Sequence, residues 1–228
     1  MSQIVLLDSD FSALPMILKE GRRVVNNATR VAGVFFIKTI YSILLSILCI
    51  LMNLPFPFIP IQITLIDLAI EAFPSFLTML EPDHRRVGGD FLTTVLCNAL
   101  PNAIAIVFSF LAIEFMSDGF AIRYDEAVTM MYLCVTVISM LAVYHSSRPL
   151  NRLRALICLC MTVGFILAIL LFHELLHITL LSLRLLVLTA ILALSAVVIR
   201  QFSCCCCHGF PAFAPSKKVP DSIPYPDV

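Results

Sequence analysis

The sequence predicts an all-α membrane protein with six transmembrane helices. Of its 228 residues, 60% are hydrophobic and 13% are charged, and the mean hydropathy is +0.99. These values lie far outside the range of soluble globular proteins. Six apolar runs are each long enough to cross the ~30 Å hydrocarbon layer as a helix. They lie at about residues 31–52, 59–80, 91–116, 127–144, 155–172 and 178–199.

Basic residues between the apolar runs predict the orientation. Lys and Arg are retained on the cytoplasmic side during insertion. Most of the basic residues fall on one side of a six-span topology. The exceptions are Arg123 in a loop on the other side, and Lys38 and Arg184 inside the apolar runs. We therefore expect both termini in the cytoplasm, in a multi-pass protein of the cell membrane. The residues on that side are Lys19, Arg22, Arg23, Arg30, Arg85, Arg86, Arg148, Arg152, Arg154, Arg200, Lys217 and Lys218.

The two ends of the chain are predicted to lie outside the bilayer. One helical pattern runs from about residue 13 to Met52, roughly 60 Å at 1.5 Å per residue. Residues 13–30 are therefore predicted to be a cytoplasmic stalk that leads into a transmembrane domain at 31–200. Residues 1–12 contain a short apolar strand, residues 4–7, which cannot form a sheet alone. The proline-rich residues 201–228 are predicted to be a disordered cytoplasmic tail.

Two carboxylates lie inside the second apolar run. Buried acids are expensive in a membrane, and hard oxygen ligands suit Ca²⁺ or Mg²⁺. We therefore predict a cation site about halfway across the bilayer; two acids that only hold helices together are the alternative. Pro74 has no N–H, so the carbonyl of Ile70 is expected to be free beside the site. The polar face repeats at steps of three and four and comprises Pro60, Thr64, Asp67, Glu71, Pro74 and Thr78.

The first apolar run carries a matching polar face. Lys38, Ser42 and Ser46 follow each other at steps of four, with Thr39 beside them. Counted from the cytoplasmic ends, Lys38 and Glu71 lie at similar depths, and a buried ammonium needs a partner. Lys38 is therefore predicted to supply the counter-charge when no ion is bound. The alternative is a lysine that snorkels to the interface.

Two stretches resemble one family closely. "VLLDSDFSALPMILKEGRRVVNN" and "FPFIPIQITLIDLAIEAFPSFLTMLEP" are similar to the C-terminal transmembrane half of P-type cation-transporting ATPases of the calcium and magnesium pump type. The resemblance implies that residues 1–12 end the phosphorylation domain and that the six spans correspond to helices five to ten. It also implies that Asp67 and Glu71 occupy cation-ligand positions.

The same resemblance marks departures from the calcium pumps. Thr39 and Ser42 stand where those pumps have an asparagine and a glutamate, so they are the matching candidate ligands. The fourth run has no carboxylate, which argues against a second ion site. The intramembrane Cys-Pro-Cys of heavy-metal pumps is absent as well, which argues against copper or zinc transport.

Motifs for ATP chemistry are absent from the sequence. Neither "DKTGT" nor "GDGxND" occurs, so ATP and Mg²⁺ would act only through domains outside this chain. The expected partners are membrane lipid and an N-terminal pump half, in the same frame or as a separate chain, and no nucleic acid. A non-catalytic membrane interaction protein, a pump remnant, is the rival interpretation.

Two further motifs carry metal-binding residue types. "HELLH", residues 173–177, has the spacing of a zinc protease, but a zincin needs a third ligand. His84, His145 and His208 all fall on the other side of the predicted topology, so His173 and His177 are interpreted as interfacial residues. "CCCCH", residues 204–208, is open to acylation or to a soft metal; a chance cysteine run is the simpler interpretation.

Overall fold

The computed structural model describes residues 14–79, 90–148 and 151–209, and all regular structure in these ranges is helical. Six helical rods are long and apolar enough to cross a membrane, as predicted. The second rod is built of α2, a π-helical segment and α3 in succession. The elements are α1 (Leu14–Met52), α2 (Pro60–Ile66), the π segment (Asp67–Ala72), α3 (Phe73–Met79), α4 (Phe91–Phe120), α5 (Tyr124–Ser146), α6 (Arg152–Phe172) and α7 (Leu183–Gly209).

Left-handed residues end two of the long helices. Asn53 after α1 has φ 56°, and Ala121 after α4 has φ 52°. In each case the next amide donates back into the last turn, Leu54 to the carbonyl of Cys49 at 2.8 Å and Ile122 to that of Ser117 at 3.1 Å. This geometry satisfies carbonyls that a helix end leaves without donors. It turns the chain back toward the bundle for the following rod.

Helix α7 differs from its predicted bounds at both ends. It begins at Leu183 rather than near residue 178, because Ser182 accepts a 3.4 Å hydrogen bond from the amide of Leu185 and so caps the first turn. It continues to Gly209, beyond the predicted boundary at 200, since no helix breaker precedes Gly209 and Pro211. Residues 210–228 and the predicted strand at residues 4–7 lie outside the described ranges.

Helices α4 and α5 form the centre of the bundle. Helix α1 packs against α4, α4 packs against α5 and α7, and the π segment packs against α5 and α6. The buried face of α1 repeats every three or four residues, through Val34, Ile37, Tyr41, Leu45 and Cys49. These side chains join one core with buried residues of α4 and α5.

Helices α1 and α4 approach each other closely at Gly33. A Cβ added at Gly33 would lie 3.6 Å from the Cβ of Asn98, which is an ordinary van der Waals contact. Small residues allow helix backbones to approach in this way in membranes. The contact fixes one point along α1 against the centre of the bundle.

The end of α3 is held by α1. Asn27 Nδ2 donates to the carbonyl of Met79 at 3.2 Å, and Arg30 Nη2 donates to the carbonyl of Thr78 at 2.8 Å. Arg30 also donates to Asn27 Oδ1 at 3.0 Å. The last carbonyls of a helix have no partner inside it, so these bonds complete the end of the second rod. The first half of α1 is thereby attached to the rod that carries both carboxylates.

Candidate cation site

The two predicted acids lie in the π segment. Phe73 donates its amide to the carbonyl of Leu68, five residues back, so this part of the rod is wider than an α-helix, a distortion frequent at functional sites. If the same register continued to Pro74, the carbonyl opposite its missing N–H would be that of Ala69. The prediction named Ile70 because it counted four residues back, as in an α-helix. Ile70 itself is completely buried in the core.

Asp67 forms an ion pair with Lys38. Lys38 Nζ on α1 donates to Asp67 Oδ2. The two side chains keep 36% and 26% of their surface exposed, so the pair lies at the edge of the bundle and not at its centre. Asp67 Oδ1 is buried without a hydrogen-bond partner. Lys38 therefore neutralises the carboxylate of Asp67 through Oδ2, while Oδ1 remains available to accept a bond.

Glu71 lies deeper than Asp67. Its side chain is 1% exposed, and Oε2 is buried without a hydrogen-bond partner. Asp67 and Lys38 both lie within electrostatic range of its carboxyl group. Two acids and one lysine leave one acidic group without a counter-charge, which a proton or a cation must neutralise in so apolar a place.

The other predicted ligands are placed differently. Thr39 is exposed on α1, and Ser42 is half-buried. The hydroxyl of Ser46 bonds back to the Ser42 carbonyl at 2.7 Å. The structure thus brings Lys38, Asp67 and Glu71 together and leaves Thr39 exposed on α1. In residues 14–79, 90–148 and 151–209 no group of three or more His, Cys, Asp or Glu side chains is placed to hold a metal ion.

The sequence interpretation missed four buried hydroxyl groups on α1 and α5. Tyr41 on α1 and Tyr132, Thr136 and Ser139 on α5 are each at most 5% exposed, and none of the four hydroxyl oxygens has a hydrogen-bond partner. Tyr41 lies within electrostatic range of Asp67, Glu71 and Tyr132. The spacing was visible, since Tyr132, Thr136 and Ser139 recur at steps of four and three. Without a carboxylate among them, the pattern did not predict a site.

Comparison with known proteins places the chain in a family. It is 39% identical over 173 residues to the probable cation-transporting ATPase exp7 of Streptococcus pneumoniae serotype 4, which covers 72% of the chain. It is 30% identical over 180 residues, 73% of the chain, to the calcium-transporting ATPase CtpE of Mycolicibacterium smegmatis. The chain is a relative of the P-type cation-transporting ATPases in their membrane portion.

The relationship covers only part of each relative. The matched segments span 22% of the streptococcal ATPase and 23% of the mycolicibacterial one. CtpE of Mycobacterium bovis is 37% identical over 115 residues, 46% of this chain. No family model matches the chain. This P-type ATPase relative thus spans less than a quarter of the length of either ATPase.

The "HELLH" segment of this P-type ATPase relative is not helical. Helix α6 ends at Phe172, and residues 173–177 form turns in which His177 has φ 50°. Both histidines are exposed. The two imidazoles therefore do not share a helical face, which the zinc-protease spacing requires. Leu176 in the middle of the motif is 2% exposed, and its carbonyl accepts a 2.8 Å bond from Gln62 Nε2 on α2.

Gln62 attaches the "HELLH" turn to the second rod. Besides bonding Leu176, it accepts a 3.3 Å bond from the amide of Ile59 and is 1% exposed. Replacement of Gln62 by Ala is expected to lower the free energy of unfolding by about 1–3 kcal/mol, because the buried carbonyl of Leu176 loses its donor. Unfolding in a mixed-micelle denaturant titration measures the change.

Thr64→Ala is the matched control for Gln62→Ala. Thr64 is on the same helix, but it is exposed and bonds only the carbonyl of Pro60 at 2.8 Å. Its loss should change stability by less than about 0.5 kcal/mol. Equal effects of the two substitutions would contradict the role given to Gln62.

Removal of both histidines should leave metal binding and transport unchanged. The double variant His173→Ala, His177→Ala is expected to keep transport within about twofold, because interfacial side chains in contact with water contribute little energy. Zinc content of the purified chain, measured by mass spectrometry, should be far below one per chain in both proteins. Stoichiometric zinc that disappears in the double variant would overturn this interpretation.

Proposed function

We propose that the chain is the membrane transport portion of an ATP-driven cation pump and that Asp67 and Glu71 bind the transported cation. The observation that carries this proposal is the pair of acids in the π segment, with Lys38 on one of them. The names of the relatives support cation transport, and two of those compared are named calcium-transporting. The transported ion is proposed to be Ca²⁺ or Mg²⁺.

The donor set favours a hard divalent cation. Asp67 Oδ1, the Glu71 carboxylate and the Ala69 carbonyl are all oxygens, and Ca²⁺ takes six to eight oxygen ligands while Mg²⁺ takes six. The described side chains supply only part of either set. Water and helices of the remaining part of a longer pump are proposed to supply the rest. Ser42, half-buried one turn after Lys38 on α1, is a further candidate.

Coupling to ATP is proposed to run through α1. This helix continues without interruption from Leu14 to Lys38 and on to Met52. Its first half is also attached to the end of the second rod by Asn27 and Arg30. A movement imposed at Leu14 would thus reach both the lysine and the rod that carries the acids. We further propose that Leu14 lies on the cytoplasmic side, as the basic residues predict.

An assembled pump tests the ion assignment. The chain would be joined to the N-terminal portion of the streptococcal relative. Formation of the acyl-phosphate from ATP, at one fixed low concentration of Mg²⁺ that serves the ATP site, would be titrated with Ca²⁺, additional Mg²⁺, Mn²⁺, Na⁺ and K⁺ in turn. We expect Ca²⁺ or Mg²⁺ to act at the lowest concentration. Equal or stronger stimulation by a monovalent ion would overturn the assignment. The 228-residue polypeptide by itself serves as the blank and is expected to form no acyl-phosphate.

A further inference from the structure

Positive charge gathers at the end of the bundle where α5 ends. His145 lies within electrostatic range of Arg148 and Arg200, and Arg200 lies within electrostatic range of Arg148 as well. His145 belongs to the last turn of α5, Arg148 follows that helix directly, and Arg200 lies late in α7. We define the basic cluster as His145, Arg148 and Arg200.

The register of the two helices gives the same placement. The hydroxyl groups of Thr129, near the start of α5, and Thr179, just before α7, lie 3.1 Å apart. Both helices run from that end of the bundle, because α6 returns the chain to it. His145 is 16 residues after Thr129, and Arg200 is 17 residues after Leu183, which is ~24 and ~26 Å along the axes. Those lengths approach the ~30 Å hydrocarbon layer, so the cluster lies at the level of lipid headgroups.

Arg200 starts from the packed face of α7. Thr189, Ala193 and Ala196 are buried on this face at steps of four and three, and Arg200 follows Ala196 by four residues. The face packs against α4 and α5, and Arg200 is half-buried there. An arginine that only snorkels to the headgroups extends from a face turned to the lipid. Arg200 instead lies at the edge of a helix–helix contact.

The two arginines have no acidic partner. Among residues 14–79, 90–148 and 151–209, neither Arg148 nor Arg200 forms an ion pair. Arg148 lies over the ring of Tyr144, 5.5 Å from its centroid. Like charges this close repel each other, and partial burial removes hydration from Arg200. An anion bound between the two guanidinium groups would offset both costs.

The surface beside the cluster is apolar. Tyr144, Leu141 and Val137 precede Arg148 at steps of four, three and four, so they form one strip along the outer face of α5. Tyr144 and Val137 are exposed and Leu141 is half-buried, on a helix that is otherwise mostly buried. Tyrosine is frequent at the boundary between headgroups and acyl chains. An inorganic anion would not use this strip, whereas an acyl chain fits along it.

We propose that the basic cluster binds the headgroup of one anionic phospholipid, with its phosphate between Arg148 and Arg200 and an acyl chain along Tyr144, Leu141 and Val137. The phosphate oxygens accept hydrogen bonds from both guanidinium groups, whose planar fork suits a phosphate. Basic pockets between transmembrane helices recognise such headgroups. The bound lipid links the end of α5 to α7. No residue of the candidate cation site takes part, so the proposal does not depend on cation transport.

Lipid binding to the purified full chain tests the site. The chain in a neutral detergent would be mixed with phosphatidylglycerol or with phosphatidylcholine of the same acyl chains, and native mass spectrometry would count the bound lipids. We expect one phosphatidylglycerol to bind at least about tenfold more tightly than phosphatidylcholine, because only its headgroup carries net negative charge. Equal affinities for the two lipids would overturn the proposal.

Arg200→Gln should weaken binding of phosphatidylglycerol by about fivefold, the effect of one basic residue at an anionic surface. Arg200→Lys keeps the charge and should retain most of the affinity. Arg152→Gln is the matched control, since Arg152 is exposed at the start of α6, at the same end of the bundle but outside the basic cluster. It should change the affinity by less than about twofold. Equal losses in Arg200→Gln and Arg152→Gln would indicate diffuse attraction to a basic surface and would contradict a specific site.

Photo-crosslinking locates the lipid without any substitution, so it decides the case even if Arg200→Gln does not fold. Phosphatidylglycerol with a photoactivatable headgroup would be added to the unaltered chain, and the labelled peptides would be identified by mass spectrometry. We expect labels around Arg148 and Arg200. Arg184, exposed at the other end of α7 over the ring of Phe120, is the internal control and should stay unlabelled.

Two results of the crosslinking would overturn the proposal. The first is equal labelling around Arg184 and Arg200, because the lipid would then follow any arginine at a helix end. The second is loss of the labels when inorganic phosphate is added at millimolar concentration. A free phosphate that displaces the lipid would show that the acyl chain contributes nothing, and the site would then be one for a soluble anion.

Discussion

Glu71→Gln is expected to weaken cation binding by at least about tenfold, about 1.4 kcal/mol. The substitution keeps the shape of a side chain that is 1% exposed and removes one negative charge from an apolar place, where a cation depends on its ligand charges. Asp67→Asn should also weaken binding, although the lysine that it leaves unpaired would repel the ion as well. Both effects are read from the cation dependence of acyl-phosphate formation in the assembled pump.

Glu114→Gln is the matched control for the acids. Glu114 is half-buried in α4 and lies near Cys49 of α1. Cys49 is 11 residues beyond Lys38, which is ~16 Å along the axis of α1. The same chemical change at that distance should leave the titration midpoint in place. Unchanged midpoints in both Glu71→Gln and Asp67→Asn would eliminate the proposed site.

Lys38→Ala is expected to act in the opposite direction, with a rise in apparent cation affinity of roughly tenfold. Lys38 donates to Asp67 Oδ2, so an entering cation has to compete with an ammonium that is already present. Protons will bind part of the carboxylate that loses its lysine partner and will compete with the cation. The gain in cation affinity should therefore grow as the pH is raised. The same acyl-phosphate titration, repeated at several pH values, measures both effects.

Lys38→Arg separates the effect of losing the positive charge from the effect of changing the side chain. It keeps the positive charge beside Asp67 and should leave the affinity close to that of the unaltered protein. If Lys38→Ala also left the affinity unchanged at every pH, Lys38 would be a lysine that snorkels to the interface and nothing more. The structure places its nitrogen on a carboxylate, and that contact motivates the prediction.

The features that the sequence predicted correctly depend on local composition. Apolar runs long enough for a bilayer are visible without knowledge of their neighbours, and the six rods follow from them. The pairing of Lys38 with an acid was predicted from depth alone, by a count of residues along two helices. Depth cannot choose between Asp67 and Glu71, and the structure selects Asp67.

The features that the sequence did not predict depend on packing between helices. The π segment adds a residue to a turn, a change that periodicity of three and four cannot indicate. The late start of α7 follows from the cap at Ser182. The residues just before Ser182 are as apolar as those of the helix, so composition alone does not show where the helix begins. Thr136 and Ser139 look like ordinary helical hydroxyls until their missing bonds are seen.

The close approach at Gly33 gives α1 the geometry of a lever. Gly33 rests against Asn98, with Leu14 ~28 Å away on one side and Lys38 ~7.5 Å away on the other. If this helix tilts as a stiff rod about that fulcrum, the ratio of the arms is roughly four to one. A swing of ~4 Å at Leu14 then moves the backbone at Lys38 by ~1 Å the other way, which is enough to lengthen a hydrogen bond beyond its working range. A small force acting over a large displacement at Leu14 thereby becomes a larger force over a small displacement beside Asp67.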